Sequence, residues 1–278
     1  MAERDQYVVI GNPIEHSKSP QIHSMFAEQT GEAIEYKKIL CSLGDFSKVV
    51  TEFFAAGGLG ANVTVPFKLD AYDLATTRSS RAEHARAANT LANKGGLVLA
   101  ENTDGLGLVT DIVLNLEFPI VDKSILIVGA GGAARGVLLP LAEERPKRIM
   151  VVNRTPNKAH ELINSIKTEI QGFPIVLSSG GLHDIVEDEF DLVVNATSSS
   201  LSGDAFPLSS SVLGRNALAY DMMYGRDKTS FSHWAAAAKA YQISDGLGML
   251  VEQAAESFFL WRGKRPETRA VMEALRAT

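Results

Sequence analysis

The feature that most restricts what this chain can fold into is a glycine-rich turn set between an apolar run and a helix-like stretch. Ser124-Ile125-Leu126-Ile127-Val128 reads as a parallel strand, continuously apolar because helices cover both faces of such a sheet. Gly129-Ala130-Gly131-Gly132-Ala133-Ala134 follows it and fits G-x-G-x-x-G/A, and a helix is predicted around Arg135 to Glu143. The pattern needs Gly129 for the tight turn and Gly131 so that backbone can approach a pyrophosphate. Small Ala134 lets the helix pack closely on the sheet, and the helix N-terminus offers unpaired N–H groups to the anion. Strand, turn and helix in this order point to dinucleotide binding; the bland alternative is a tight strand–helix connection with no ligand.

The next strand bears on which nucleotide. Versions of this fold that bind NAD place an acid about 20 residues on, where it takes the ribose hydroxyls. Here Ile149 to Val152 ends in Asn153-Arg154-Thr155, and that acid is missing. Asn153 and Thr155 can donate hydrogen bonds to a 2′-phosphate, Arg154 can pair with it through a planar fork, and Lys158 adds a second cation. A polar helix cap with ordinary surface charges remains the alternative, but with the glycine turn upstream NADP is the preferred cofactor.

Elsewhere short β-branched runs alternate with helix-length segments. Tyr7 to Ile10, Ile34 with Tyr36, and Gly60 to Val63 are predicted strands, and Pro20 to Gln29 and Phe46 to Ala56 predicted helices. Ser19 stands where the N-cap of the first helix is expected, with Pro20 at its first position. Asn93-Lys94-Gly95-Gly96 reads as a hairpin turn between Thr90-Leu91-Ala92 and Leu97-Val98-Leu99. Further strands are predicted at Asp191 to Val194 and Ala217 to Tyr220. From Gly248 the chain is helical, with Gly263 and Pro266 ending that stretch. Strands spaced by helices imply right-handed crossovers and a doubly wound sheet. At roughly 150 residues per domain, 278 residues suggest two domains.

Composition excludes several classes. A formal net charge of −6 argues against a nucleic-acid or acidic-membrane surface as the main partner. The single cysteine, Cys41, cannot form an internal disulfide, and the six histidines have no metal-site spacing, so no metal is expected. No apolar run approaches the ~18 residues of a membrane span, and Met1-Ala2-Glu3-Arg4-Asp5 is too polar for a secretory leader. A soluble, cytoplasmic α/β protein is expected.

Polar residues gather near predicted strand ends, where α/β proteins place ligands. Ser17 and Ser19 could hold a carboxylate at a helix N-terminus or simply cap it. Lys68 follows Asn62-Val63-Thr64-Val65-Pro66-Phe67; alone it reads as a surface charge. Asn89-Thr90 and Asn102-Thr103-Asp104-Gly105 have turn chemistry. Together, a Lys and an Asp flanked by Ser, Thr and Asn donors suit reversible oxidation of an alcohol. The hydroxyl proton must leave as hydride leaves carbon, and Lys68 can carry it while Asp104 orients the amine and binds a substrate hydroxyl.

In these segments the chain resembles the shikimate dehydrogenase family. The resemblance rests on Asn12-Pro13-Ile14-Glu15-His16-Ser17-Lys18-Ser19-Pro20, Asn62 to Lys68, Ala88-Asn89-Thr90, Asn102 to Gly105, and Asp245-Gly246-Leu247-Gly248-Met249-Leu250-Val251-Glu252-Gln253-Ala254. Gly129 to Arg135, Asn153 to Thr155 and Asn195-Ala196-Thr197-Ser198 match its cofactor domain. The resemblance implies that Ser17 and Ser19 bind the shikimate carboxylate and that Thr64, Asn89, Asp104 and Gln253 hold ring hydroxyls. Lys68 would exchange the proton with Asp104 as its partner, Tyr224 would meet the substrate, and Met222 and Gly246 would lie around the nicotinamide. Three departures stand out. Ser80 occupies a position where many members carry an acid near the cofactor, Lys158 stands where arginine is common, and Met222-Met223-Tyr224-Gly225-Arg226 lacks the frequent proline turn.

The expected architecture is therefore an α/β substrate domain, residues 1–104 plus 247–278, and a Rossmann-type doubly wound NADP domain, residues 105–246, with the site in the cleft between them. Partners are the small-molecule substrate and NADP, with neither nucleic acid nor membrane, in a monomer or homodimer. Two rivals remain open at this point: a quinate/shikimate dehydrogenase using NAD, and a non-catalytic nucleotide sensor that kept the fold.

Overall fold

The computed structural model describes residues 4–185, 189–197, 205–225 and 227–277. The chain divides into two compact units, Met1–Gly107 with Leu250–Thr278, and Leu108–Met249. Each has its own six-stranded sheet.

Unit 1 contains β1 (Asp5–Gly11), β2 (Ile34–Leu40), β3 (Gly60–Val63), β4 (Thr77–Arg78), β5 (Thr90–Lys94) and β6 (Leu97–Glu101), ordered β2-β1-β3-β5-β6-β4. The first three are parallel because helices α1 (Ser19–Thr30) and α2 (Phe46–Ala55) return the chain between them. After α3 (Lys68–Leu74) and α4 (Ser80–Ala85) the sheet turns antiparallel: β5 runs against both β3 and β6. Gly95 and Gly96, at φ 64 and φ 92, form the two-residue loop between β5 and β6, a geometry that asks for positive φ at both positions. α1 buries Ile22, His23 and Phe26 on one face, with Pro20 in its first turn and left-handed Gly31 after its end. Val8, Ile10, Val50, Ala61, Phe67 and Leu91 form much of the core beneath.

The chain crosses into unit 2 within α5 (Asp104–Thr110), which continues as a π-helical turn over Asp111–Asn115. β7 (Ser124–Val128), β8 (Arg148–Val152), β9 (Val176–Gly180), β10 (Phe190–Asn195), β11 (Leu213–Asp221) and β12 (Gln242–Ser244) are all parallel, ordered β12-β11-β10-β7-β8-β9. The order reverses at β7, between β8 and β10, and ligands of doubly wound sheets lie beyond the carboxyl ends of the strands at such a reversal. α6 (Gly132–Glu143), α7 (Pro156–Ser165) and α8 (Ser230–Ala237) are the long helices of this unit. Ile125, Leu126, Ile127, Val193 and Val194 are fully or almost fully excluded from solvent on both faces, each worth roughly 1.5–3 kcal/mol of transfer free energy.

The return to unit 1 lies within α9 (Leu247–Arg262), and α10 (Arg269–Arg276) follows the break at Gly263 and Pro266. Within unit 1, Trp261 on α9 packs at a tilt of 32° against Tyr7, ring centroids 4.7 Å apart, and donates its indole N–H to Leu91 O at 3.0 Å.

Several elements differ from the sequence expectation. Ser19 is not the N-cap of α1 but its first residue; Lys18 occupies the cap and makes no side-chain bond there. The helix after the glycine turn begins at Gly132 rather than near Arg135, because the turn's last residues already adopt helical geometry. β9 and β12, at the two edges of the unit 2 sheet, carried no readable pattern: β12 is three residues long, and β9 is mostly exposed or half-buried.

Candidate active site

Two polar constellations emerge, one in each unit. In unit 1, Lys68 opens α3, and Phe67 just before it is buried and stacked on Phe46 at 5.3 Å, which fixes where the helix starts. Asp104 opens α5, with its backbone N–H held by Asn102 Oδ1 at 3.1 Å. Asn102 is itself held: its amide donates to Ala87 O at 3.0 Å and its backbone N–H to Glu101 Oε1 at 2.8 Å. Glu101 in turn receives a fork from Arg81 and a bond from Ser79. Lys68 Nζ donates to Asp104 Oδ2 at 2.7 Å, with the side chains 33% and 13% exposed. The pair is thus charge-assisted, mutually oriented and still open to a ligand.

Asn89 joins this pair to Gln253. Its amide nitrogen lies 2.9 Å from Asp104 Oδ1, 2.9 Å from Thr103 Oγ1 and 3.0 Å from Gln253 Oε1. Two amide protons therefore face three acceptors. Gln253 donates to Leu250 O on its own helix, which points Oε1 at the cluster. Lys68, Asp104, Asn89 and Gln253, distant in sequence, are one hydrogen-bonded group.

Ser17 and Ser19 form a second pair at the start of α1. The Ser17 hydroxyl donates to Ser19 Oγ at 3.2 Å and accepts the Ser19 N–H at 3.3 Å. Ser19 also bonds to Tyr36, whose phenol donates to Asn62 Oδ1 at 2.7 Å. Thr64 follows β3, half-buried, with its N–H on Ile10 O at 3.0 Å; among the described residues its hydroxyl joins neither group.

Beneath the cluster lies a buried polar layer that sequence reasoning did not identify. Asn62 donates towards Asn89 O, Thr90 Oγ1 and Ser257 Oγ. His23, fully buried and stacked on Tyr36 at 4.2 Å, has Nε2 3.2 Å from Asn62 Oδ1. An amide oxygen only accepts, so Nε2 carries the proton, and Nδ1 faces no partner. Burial pushes the imidazole down to about 3, so it is neutral at working pH. One signal was available: Ser257 lies four residues after Gln253 and so on the same helix face.

In unit 2 the polar residues collect at the carboxyl ends of β7, β8, β10 and β11. Gly129 has φ 113, and a Cβ there would meet Thr197 Cγ2 at 2.8 Å and Ala196 O at 3.1 Å, so only glycine fits. Gly131 and Gly132 differ: a Cβ on either meets nothing within 4 Å. The protein does not need glycine there for its own packing. Ala130 and Ala133 pack partly buried beside the turn. At the end of β8, Asn153 donates to Thr155 O at 3.0 Å, and Thr155 stands at the N-cap of α7 without a side-chain cap bond. Arg154, Thr155 and Lys158 are exposed, and neither cation pairs with a carboxylate among the described residues. The donor set and the absence of an acid here fit a phosphorylated ribose.

The loop after β11 is held from inside. Buried Asp221 accepts from Asn195 Nδ2 at 2.9 Å and from the Met223 N–H at 3.0 Å, and Thr229 also donates to it. Met222 is buried and Tyr224 half-buried, with its phenol pushed up by burial. Gly246 packs so closely on this loop that a Cβ would lie 2.3 Å from Met222 O. Ser198 and Arg226, named in the sequence motifs, lie outside the described residues. Exposed Ser80 opens α4. Among the described residues, no helix is long and apolar enough to cross a membrane and no His/Cys/Asp/Glu group could hold a metal ion.

Three family models match the chain: a shikimate dehydrogenase substrate binding domain over residues 9–91, shikimate / quinate 5-dehydrogenase over 113–202, and a shikimate 5'-dehydrogenase C-terminal domain over 246–276. The shikimate dehydrogenase (NADP(+)) of Cupriavidus taiwanensis is 52% identical over 280 residues, covering 99% of this chain and 95% of that protein. Among solved structures, the Ael1 enzyme of Pseudomonas putida superposes with a TM-score of 0.91 at 46% identity, covering 98% of each chain. The shikimate 5-dehydrogenase of Thermus thermophilus, crystallised with NADP(H) and shikimate, has a TM-score of 0.85 at 29% identity, covering 98% of this chain and 99% of that one.

Proposed function

This chain belongs to the shikimate dehydrogenase family, and we propose that it catalyses the reversible NADPH-dependent reduction of 3-dehydroshikimate to shikimate on the route to chorismate and the aromatic amino acids. The observation that carries the chemistry is the 2.7 Å bond between Lys68 and Asp104 inside a group that also holds Asn89 and Gln253. NADP(H), when bound at the turn after β7, supplies or takes up the hydride. In the reducing direction the carbonyl carbon gains that hydride, and its oxygen takes a proton from the Lys68 ammonium. In the oxidising direction Lys68 accepts the hydroxyl proton. Asp104 holds the amine at the reacting oxygen and accepts from a ring hydroxyl.

The remaining roles follow the same reading. Ser17 and Ser19 hold the carboxylate; Thr64, Asn89 and Gln253 hold ring hydroxyls; Tyr224 adds a contact from the loop after β11. Gly129, Ala130, Gly131, Gly132 and Ala133 take the pyrophosphate at the start of α6. Asn153, Arg154, Thr155 and Lys158 take the 2′-phosphate, and Met222 and Gly246 border the nicotinamide. The substrate-binding domain spans 1–104 plus 247–278 and the NADP domain 105–246. The protein works in the cytoplasm, as a monomer or homodimer, without a nucleic-acid partner.

Steady-state rates with shikimate and with quinate, each with NADP and with NAD, test this reading. Turnover concentrated in the shikimate and NADP pair is expected; comparable turnover of quinate with NAD would overturn it.

A further inference from the structure

Ser257 lies on α9 one turn beyond Gln253, with 0% of its surface exposed, and nothing in the reaction calls on it. Its hydroxyl nonetheless has four polar neighbours in unit 1. Asn62 Nδ2 lies at 3.0 Å, Thr90 Oγ1 at 2.7 Å, Thr103 Oγ1 at 3.4 Å and the Gln253 carbonyl at 3.0 Å. A hydroxyl donates once. The Gln253 carbonyl can only accept and Asn62 Nδ2 can only donate, while either hydroxyl of the Ser257–Thr90 pair can be the donor; with the Ser257 proton given to Gln253 O, its lone pairs are left for Asn62 and Thr90.

That assignment propagates. Thr90 has another acceptor within reach, Asn89 Oδ1 at 3.1 Å; the Thr103 hydroxyl is nearest the same Asn89 Oδ1, at 3.2 Å, then Gln253 Oε1 and Ser257 Oγ, both at 3.4 Å, and Thr90 Oγ1 at 3.5 Å. Asn89 Oδ1 already accepts the Thr103 N–H at 2.8 Å, so it has room for one hydroxyl. With Ser257 taking the Thr90 proton, Thr103 donates to Asn89 Oδ1, and Gln253 Oε1 receives at most the Asn89 amide. Without Ser257, Thr90 turns to Asn89 Oδ1, Thr103 is diverted to Gln253 Oε1, and both lone pairs of that oxygen are filled.

We propose that Ser257 is a positioning residue that sets the direction of the Thr90–Asn89–Thr103 hydrogen bonds and so keeps one acceptor site on Gln253 Oε1 free for a ring hydroxyl of the substrate. The inference rests on the reading of Gln253 as a ring-hydroxyl ligand. The bond it protects is present in ground and transition states alike, so its loss appears in KM rather than kcat.

The test is the kinetics of Ser257→Ala, Thr90→Val and the double variant, with Gln253→Ala alongside and thermal melting of each. Ser257→Ala is expected to raise the shikimate KM about tenfold, one good hydrogen bond, with kcat within about twofold and the NADP KM unchanged. Thr90→Val alone stays within about twofold of the parent, and the double variant returns the shikimate KM to that range because the diverted proton is gone. A packing role predicts the opposite, a double variant worse than Ser257→Ala. An unchanged shikimate KM in Ser257→Ala, or no restoration in the double variant, overturns the inference while leaving the site reading intact if Gln253→Ala still raises the shikimate KM. A silent Gln253→Ala overturns both. If the alanine variant does not fold, Ser257→Cys carries the test: its weaker acceptor sulfur should raise the shikimate KM, and an unchanged KM counts against the inference.

Discussion

The unit 2 constellation is built from backbone and is nearly contiguous: Gly129 to Ala133 form the turn, and Asn153 to Lys158 follow one strand later. The unit 1 constellation is built from side chains of distant segments, Lys68 on α3, Asn89 before β5, Asp104 on α5 and Gln253 on α9, linked by bonds of 2.7–3.0 Å. A backbone cradle needs only small residues and a helix start, so one short motif specifies it. A side-chain cluster has to be held from beneath, and a buried polar layer of Asn62, Thr90, Thr103, Ser257 and His23 lies under it. The two can therefore be damaged separately, and the predictions exploit that.

The largest effect is expected at Lys68. Lys68→Ala should lower kcat by about 10²–10⁴-fold, the usual span of acid–base catalysis, while the NADP dissociation constant measured by fluorescence or calorimetry stays put. Parallel loss of both would break the division of labour. The mirror experiment is Gly131→Val. A Cβ at this position meets no protein atom within 4 Å, so melting temperature and shikimate binding should hold, whereas NADP affinity falls at least tenfold, or about 1.4 kcal/mol. An unchanged NADP affinity would remove this turn from the cofactor site.

A smaller and more selective loss is expected at Arg154. Arg154→Ala should weaken NADP by roughly tenfold to a hundredfold, the worth of a charge-assisted hydrogen bond, and leave NAD binding alone. Equal loss for both nucleotides would contradict a 2′-phosphate contact. The smallest effect lies in the buried layer of unit 1. The folded state holds His23 at about 3, against 6.5 for a free imidazole, so the unfolded chain takes up a proton that the folded chain refuses. Stability from this group is present above pH 6.5 and is lost as pH falls towards 3. Between pH 7.5 and 5.5 the loss is about 1.4 kcal/mol. Urea denaturation of the parent and of His23→Gln, compared at the two pH values, isolates it; equal slopes would show that His23 is not shielded.

The same contrast explains what the sequence made legible. The six-stranded parallel sheet of unit 2 was readable from Ile125 to Val128 and its neighbours, because strands covered on both faces are continuously apolar. Its edges were not, since β12 has three residues and β9 alternates weakly. In unit 1, Lys68, Asn89, Asp104 and Gln253 were each visible as residues, but their meeting depends on sheet register and on α9 returning across the chain. His23 was hidden for another reason, since a histidine inside a helix reads as ordinary until its neighbours are known, and Ser257 showed only through its four-residue spacing from Gln253. The misplaced cap at Ser19 is a one-residue error of the kind helix ends invite, and the structure ties that hydroxyl to Ser17 and Tyr36 instead.

The most direct measurement is a crystal structure of the protein with shikimate. The account predicts the reacting hydroxyl about 3 Å from Lys68 Nζ, with a neighbouring hydroxyl on Asp104 and another on Gln253 Oε1, and the carboxylate at Ser17 and Ser19. Shikimate bound elsewhere, with the Lys68–Asp104 pair left facing solvent, would contradict it.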